Sequence, residues 1–140
     1  MMQVIPAPAE IYFAEDETGQ FAGRHLLLDM WGGQGLADIP FIESTLLAAS
    51  RAAGATVLHA HFHPFGEGQG ITGVLLLAES HMSIHTWPEV GFAALDIFMC
   101  ASCDPMLALP VIRDAFQPQR LIVNPLRRGV ISPAVSPDNH

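Results

Sequence analysis

The sequence predicts an α+β two-layer sandwich, a mainly antiparallel sheet with helices packed on one face. Three observations predict it. Strand-like runs outnumber helical ones, each of the two helical segments is followed by a strand, and the element order reads β-α-β-β and then β-β-α-β. A chain of 140 residues suits one domain with a real core and is too short for two ordinary ones. That domain is assigned to residues 21–130, between a loose leader over 1–20 and a flexible tail over 131–140.

HLLLDMW, residues 25 to 31, is an apolar strand that stops at the glycines of GGQG. Asp38 then caps a helix across PFIESTLLAASRAAG, with Pro40 in the first turn, Gly54 as the stop, and Ile42, Leu46, Leu47 and Ala49 spaced for burial. TVLHAHFHPF, residues 56 to 65, alternates, so His59, His61 and His63 share one face with Val57 while Leu58, Ala60 and Phe62 share the other. GVLLLAE, SIHTW and FAALDIFMC supply three further strands. DPMLALPVIRDAF is helical with a kink or split expected at Pro110, and RLIVNPL is the last strand.

Composition excludes several functions. The formal charge of -8 opposes nucleic-acid binding, which needs basic patches, and suits a cationic ligand. All six basic residues are arginines. Without lysine there is no lysine Schiff base to pyridoxal phosphate and no P-loop lysine. No apolar run approaches the roughly 20 residues that span a bilayer, and the first residues lack the basic region of a signal peptide, so a soluble, cytoplasmic chain is expected.

Several motifs suggest chemistry that their context denies. GQGITG, residues 68 to 73, matches G-x-G-x-x-G but opens a strand instead of a helix, and so reads as a turn with close backbone approach. His59, His61 and His63 project together as metal ligands would, yet no carboxylate accompanies them on their strand, and a polar sheet face is the simpler reading. His81 and His85 stand four apart without the glutamate of a zinc-protease helix. Ser80 lacks the G-x-S-x-G elbow of a serine hydrolase. Cys100 and Cys103 form a CASC pair, read as a strand-end cysteine with an incidental neighbour more readily than as a redox pair.

One stretch resists a bland reading. AESHMSIHTWPEVGFAALDIFMC closely resembles the signature of the small prokaryotic S-adenosylmethionine decarboxylase proenzymes. The resemblance extends to GRHLLLDMWG, FHPF and GITGVLLLAESH and covers most of residues 23 to 125. It implies a chain that makes its own pyruvoyl cofactor, with no pyridoxal phosphate and no metal. In that family the Ser80 hydroxyl attacks the Glu79 carbonyl carbon, an N-to-O acyl shift gives an ester, and β-elimination releases residues 1–79 as the β chain. Hydrolysis of the remaining dehydroalanine leaves a pyruvoyl group at the head of the α chain, residues 80–140. Its ketone forms a Schiff base with the substrate amine and serves as the electron sink that the missing lysine cannot provide.

The resemblance also assigns roles. His85 becomes the acid/base of processing, Thr72 the processing hydroxyl and Cys100 the donor that protonates the substrate carbon after CO₂ leaves. A free thiol, with an ordinary pKa of about 8.5, holds its proton yet can release it near neutrality. Phe65 matches an aromatic that stacks on the adenine of S-adenosylmethionine and attracts its sulfonium. Glu89 matches a carboxylate for the ribose hydroxyls, in sites formed between two protomers of a homodimer. The product is decarboxylated S-adenosylmethionine, the aminopropyl donor for spermidine. Relatives usually carry glycine after this cysteine where this chain has Ala101, and an oxidised Cys100–Cys103 pair would remove the donor. Alternatives are a pyruvoyl decarboxylase of ornithine or arginine, a subunit that never cleaves, and a metal hydrolase on His59, His61 and His63.

Overall fold

The computed structural model describes residues 14–16, 19–100 and 102–131. Residues Ala14–Asp16 (β1) and Gly19–Phe21 (β2) form a small antiparallel ladder, so part of the expected leader is ordered. Phe21 is fully buried and explains why the chain is anchored here. Residues 1–13 and the tail from 132 lie outside the described residues.

Six strands follow: Gly23–Trp31 (β3), Val57–Pro64 (β4), Ile71–Leu77 (β5), Ser80–Trp87 (β6), Phe92–Cys100 (β7) and Arg120–Arg128 (β8). They form one sheet in the order β4-β5-β6-β7-β3-β8, and every neighbouring pair is antiparallel. Two helices, Ile39–Ala52 (α1) and Ala108–Phe116 (α2), pack against each other and against one face of the sheet. The expected α+β sandwich is therefore the observed fold.

The core lies between the layers. Leu26, Leu28 and Met30 of β3, Met82 and Ile84 of β6, and Leu95 and Ile97 of β7 meet Ile42 and Leu46 of α1 and Ile112 and Phe116 of α2. Asp38 caps α1 as expected, its carboxylate accepting from the Phe41 N–H at 3.1 Å. The split in the second helix falls earlier than Pro110. A short 3₁₀ turn, Pro105–Leu107, leads directly into α2, where Pro110 is the third residue. Its missing N–H is one that the first helical turn leaves unpaired anyway, so it breaks nothing.

A second correction concerns the polar stretch after LLLAE. The expected strand SIHTW begins three residues earlier, because Ser80 already pairs with Leu77 across a two-residue turn, Ala78–Glu79. Period-two patterning runs on through the histidines: Met82, Ile84 and Thr86 are buried while His85 and Trp87 are exposed. The GQGITG turn is as expected. A side chain at Gly70 would collide with the Thr86 carbonyl, so β5 begins in close contact with the end of β6.

Among the described residues no layer covers the sheet's other face. Register places His25, Leu27, Asp29 and Trp31 of β3 on this face, beside Phe92, Ala94, Asp96 and Phe98 of β7 and His81, Ser83, His85 and Trp87 of β6. His59, His61 and His63 also lie on it, opposite Leu76, Val74 and Thr72.

Candidate active site

The tight β5–β6 turn puts one residue in an unfavourable backbone conformation. Glu79 has φ +60°, a left-handed conformation that L-residues avoid. The turn is held from outside by the Ala78 N–H, which donates to the Thr56 carbonyl at 2.9 Å. Ser80 follows immediately, and its hydroxyl oxygen accepts from the backbone N–H of Cys100 at 3.2 Å. Glu79, Ser80 and Cys100 thus meet at one end of the sheet, as the sequence suggested they should.

Left-handed backbone stores roughly 1–2 kcal/mol at Glu79, equivalent to about a 5- to 30-fold rate effect. That is far too little to break an amide unaided. Glu79→Gly removes the penalty, so in an uncleavable background it is expected to raise stability by about 1 kcal/mol. Urea unfolding checks this, and a loss of stability would show the turn to be unstrained.

Cys100 and Cys103 are both free thiols. The Cys103 N–H donates to the Cys100 carbonyl at 3.1 Å, closing a tight turn. Ser102 Oγ stands 3.6 Å from Cys100 Sγ and 3.9 Å from Cys103 Sγ. Burial pushes the Cys103 thiol pKa up, an effect that the Ser102 contact partly offsets and that the neighbouring Cys100 reinforces. Cys103 is therefore the less reactive thiol of the two by burial.

The remaining predicted residues gather elsewhere. Thr72 Oγ1 and His85 Nδ1 are 3.1 Å apart on neighbouring strands. With Phe65 and Glu89 they line an open hollow of about 360 Å³. Glu89 sits in a single 3₁₀ turn, Pro88–Val90, directly after β6. Phe65 is 64% exposed, and His63 meets its ring edge-on at 4.9 Å. Buried Thr86 ties this end together, accepting from the Ile71 N–H and donating to the Leu36 carbonyl.

Ser80 and His85 are five residues apart on one extended strand, which separates them by roughly 16 Å. The predicted residues therefore fall into two separate groups, one with Glu79, Ser80 and Cys100, the other with His85, Thr72, Phe65 and Glu89. Sequence spacing alone could not disclose this separation.

A network that the sequence reading did not single out occupies the middle of the open face. Asp96 Oδ2 accepts from His25 Nε2 at 2.6 Å and from His81 Nε2 at 2.9 Å, and Oδ1 accepts from the Ser83 hydroxyl in a short bond. Arg128 donates to His25 Nδ1 at 2.9 Å. His25, His81 and Asp96 present ligand-type atoms within 4.8 Å of one another. The His25 and His81 Nε2 atoms and the His25 Nδ1 atom are already committed to this network. The signal for it was the alternation of His81, Ser83 and Asp96 onto one face.

Burial raises the Asp96 pKa, but the hydrogen bonds from Ser83, His25 and His81 outweigh it and hold the carboxyl below its ordinary 3.8. A group depressed in the folded state adds stability above its unfolded pKa and loses it as pH falls through the folded value. Stability should therefore drop from roughly pH 5 downward, and drop less steeply in Asp96→Asn. Unfolding midpoints across that range, at fixed protein concentration, test this.

Fold and geometry together describe a small antiparallel-sheet protein with two groups of candidate residues at opposite ends of β6. The family model for S-adenosylmethionine decarboxylase matches residues 24–129. A protein of Thermomicrobium roseum named S-adenosylmethionine decarboxylase proenzyme is 40% identical over 110 residues, covering 78% of this chain and 95% of its own. One of Methanococcus vannielii with the same name is 44% identical over 112 residues, 78% of this chain and 91% of its own. The crystal structure of adenosylmethionine decarboxylase from Aquifex aeolicus superposes with a TM-score of 0.71 at 31% identity, covering 86% of this chain and 99% of that one. The chain belongs to the S-adenosylmethionine decarboxylase family.

Proposed function

We propose that this chain is a self-processing decarboxylase of S-adenosylmethionine that works in the cytoplasm as a homodimer. The observation that carries the reading is the left-handed Glu79 directly before Ser80, whose hydroxyl is seated against the Cys100 N–H. Attack of Ser80 Oγ on the Glu79 carbonyl carbon transfers the acyl group from nitrogen to oxygen. Loss of the Ser80 α-proton then expels the Glu79 carboxylate, breaking the Cβ–O bond, and water replaces the resulting enamine nitrogen, which leaves as ammonia. The chains are 1–79 and 80–140, the second headed by a pyruvoyl group.

Position 80 fits that group: a hydroxyl directly after the left-handed Glu79, a thiol at the end of the adjacent strand, and no lysine in the chain to serve another carbonyl cofactor. The pyruvoyl carbonyl supplies an electrophile for the substrate amine and a sink for the charge left when CO₂ departs. Cys100 holds the proton for the substrate carbon. Exposed Phe65 offers a ring face to the adenine and sulfonium, and Glu89 its carboxylate to the ribose. These two groups favour a nucleoside-bearing substrate over ornithine or arginine, neither of which has a base to stack.

The open face is the dimer surface. Leu27, Trp31, Leu76, Trp87 and Leu126 are each 40–49% exposed on it, and large apolar side chains gathered on one face mark an interaction surface. Two such sheets pack face to face about 10 Å apart. A twofold axis lying between the two faces and running across the strands sets the Ser80 end of one protomer against the Thr72–His85 end of the other. The site is complete only in the pair.

CO₂ release from carboxyl-labelled S-adenosylmethionine, ornithine and arginine tests the substrate. Release from S-adenosylmethionine alone is expected, and equal or faster release from arginine would refute the reading. Replacing Cys100 by Ala should lower turnover by roughly 10²- to 10⁴-fold, measured on the cleaved fraction, while Cys103→Ala stays near wild type.

A further inference from the structure

The Asp96 network stands where it is expensive. Its carboxylate lies beside Leu27 and Phe98 on a face otherwise suited to burial, and a charge in such a place costs stability unless fully hydrogen-bonded. A hydrophobic cluster of the same volume would pack at least as well. Packing alone therefore does not explain it.

Its position does. His81 is the residue after Ser80, and Asp96 shares β7 with Cys100. β7 thereby grips the start of β6 twice: through the Cys100 N–H on Ser80 Oγ and through Asp96 on the His81 ring. The ring is further confined by Phe98, stacked at 5.9 Å between centroids, and by His25, edge-on at 5.9 Å. The donors are also fixed. Arg128 can only donate, so His25 Nδ1 must accept, which leaves the proton on Nε2 pointing at Asp96. An ionised Asp96 accepts only, so His81 also presents Nε2–H.

Cleavage at Glu79–Ser80 would turn the middle of a hairpin into a chain end, and chain ends fray unless tied down. We infer that Asp96 is a positioning residue which, through His81 and backed by His25, clamps the first residues of β6 so that position 80 stays beside Cys100 before and after the bond breaks. This inference rests on the self-processing reading above.

Asp96→Ala removes both carboxylate oxygens, so neither imidazole keeps its acceptor; asparagine would not serve, because its amide oxygen still accepts from both rings while its N–H₂ donates to Ser83 Oγ. His81→Ala, which removes a partly exposed ring, is the second variant should the first fail to fold. Both are expected to slow chain splitting by about tenfold or more, followed by intact mass. Both should also raise hydrogen exchange of amides 81–83 by a similar factor in cleaved and uncleaved chains, with α1 amides unchanged. Splitting at the wild-type rate together with unchanged exchange at 81–83 in either folded variant overturns the clamp. A wild-type chain that never splits would instead refute the self-processing reading, and the exchange measurement on uncut chains would still decide on the clamp.

Discussion

Ser80→Ala is expected to yield a single chain of about 15.1 kDa that never splits, folded like the parent and without decarboxylase activity. The hydroxyl is the only group on the Glu79–Ser80 bond itself that can take over the acyl group, and its oxygen is already positioned, accepting from the Cys100 N–H. Strain at Glu79 supplies at most about 2 kcal/mol, so without the nucleophile no shortcut remains to ordinary amide hydrolysis. Turnover should fall by on the order of 10⁴-fold or more, as when a nucleophile is deleted elsewhere. Native mass spectrometry and a CO₂ assay on the same sample decide the matter. Two chains from the variant would show that the cut is proteolytic and Ser80 a bystander. The buried face of β6 should be unaffected, since Met82 and Ile84 carry its packing.

The fold was legible because apolar periodicity, helix caps and turn residues agree with one another over most of the chain. Where they failed, a local signal was misread. Ser80, His81 and Met82 look like a turn ahead of the strand SIHTW, yet a sheet with one uncovered face tolerates polar residues at alternate positions while Met82 and Ile84 fill the core. Pro110 looks like a helix breaker, yet in a first turn it costs nothing. The two groups of candidate residues show a different limit. Ser80 and His85 are close in sequence, and a helix or loop could have brought them together, but an extended strand holds them apart. Asp96 was invisible for the opposite reason: His25, His81 and Asp96 are distant in sequence, and only strand order makes them neighbours.

That separation leads to the most discriminating result expected of this protein. His85→Ala should cleave slowly, by roughly 10²- to 10⁴-fold for loss of an acid/base group, and Ser80→Ala not at all. Co-expressed in one cell under different tags, the two inactive variants should rescue each other. In a mixed dimer, one composite site combines both lesions, while the other joins the intact Ser80–Cys100 end of the His85→Ala chain to the intact Thr72–His85 end of the Ser80→Ala chain. Random pairing makes half of all dimers mixed and gives each a single working site, so about a quarter of wild-type activity should return. Cleavage should appear only in the chain bearing His85→Ala. A site contained within one protomer predicts no rescue at all, because no chain then carries both intact halves, and its roughly 16 Å gap along β6 would need a rearrangement of the sheet to close.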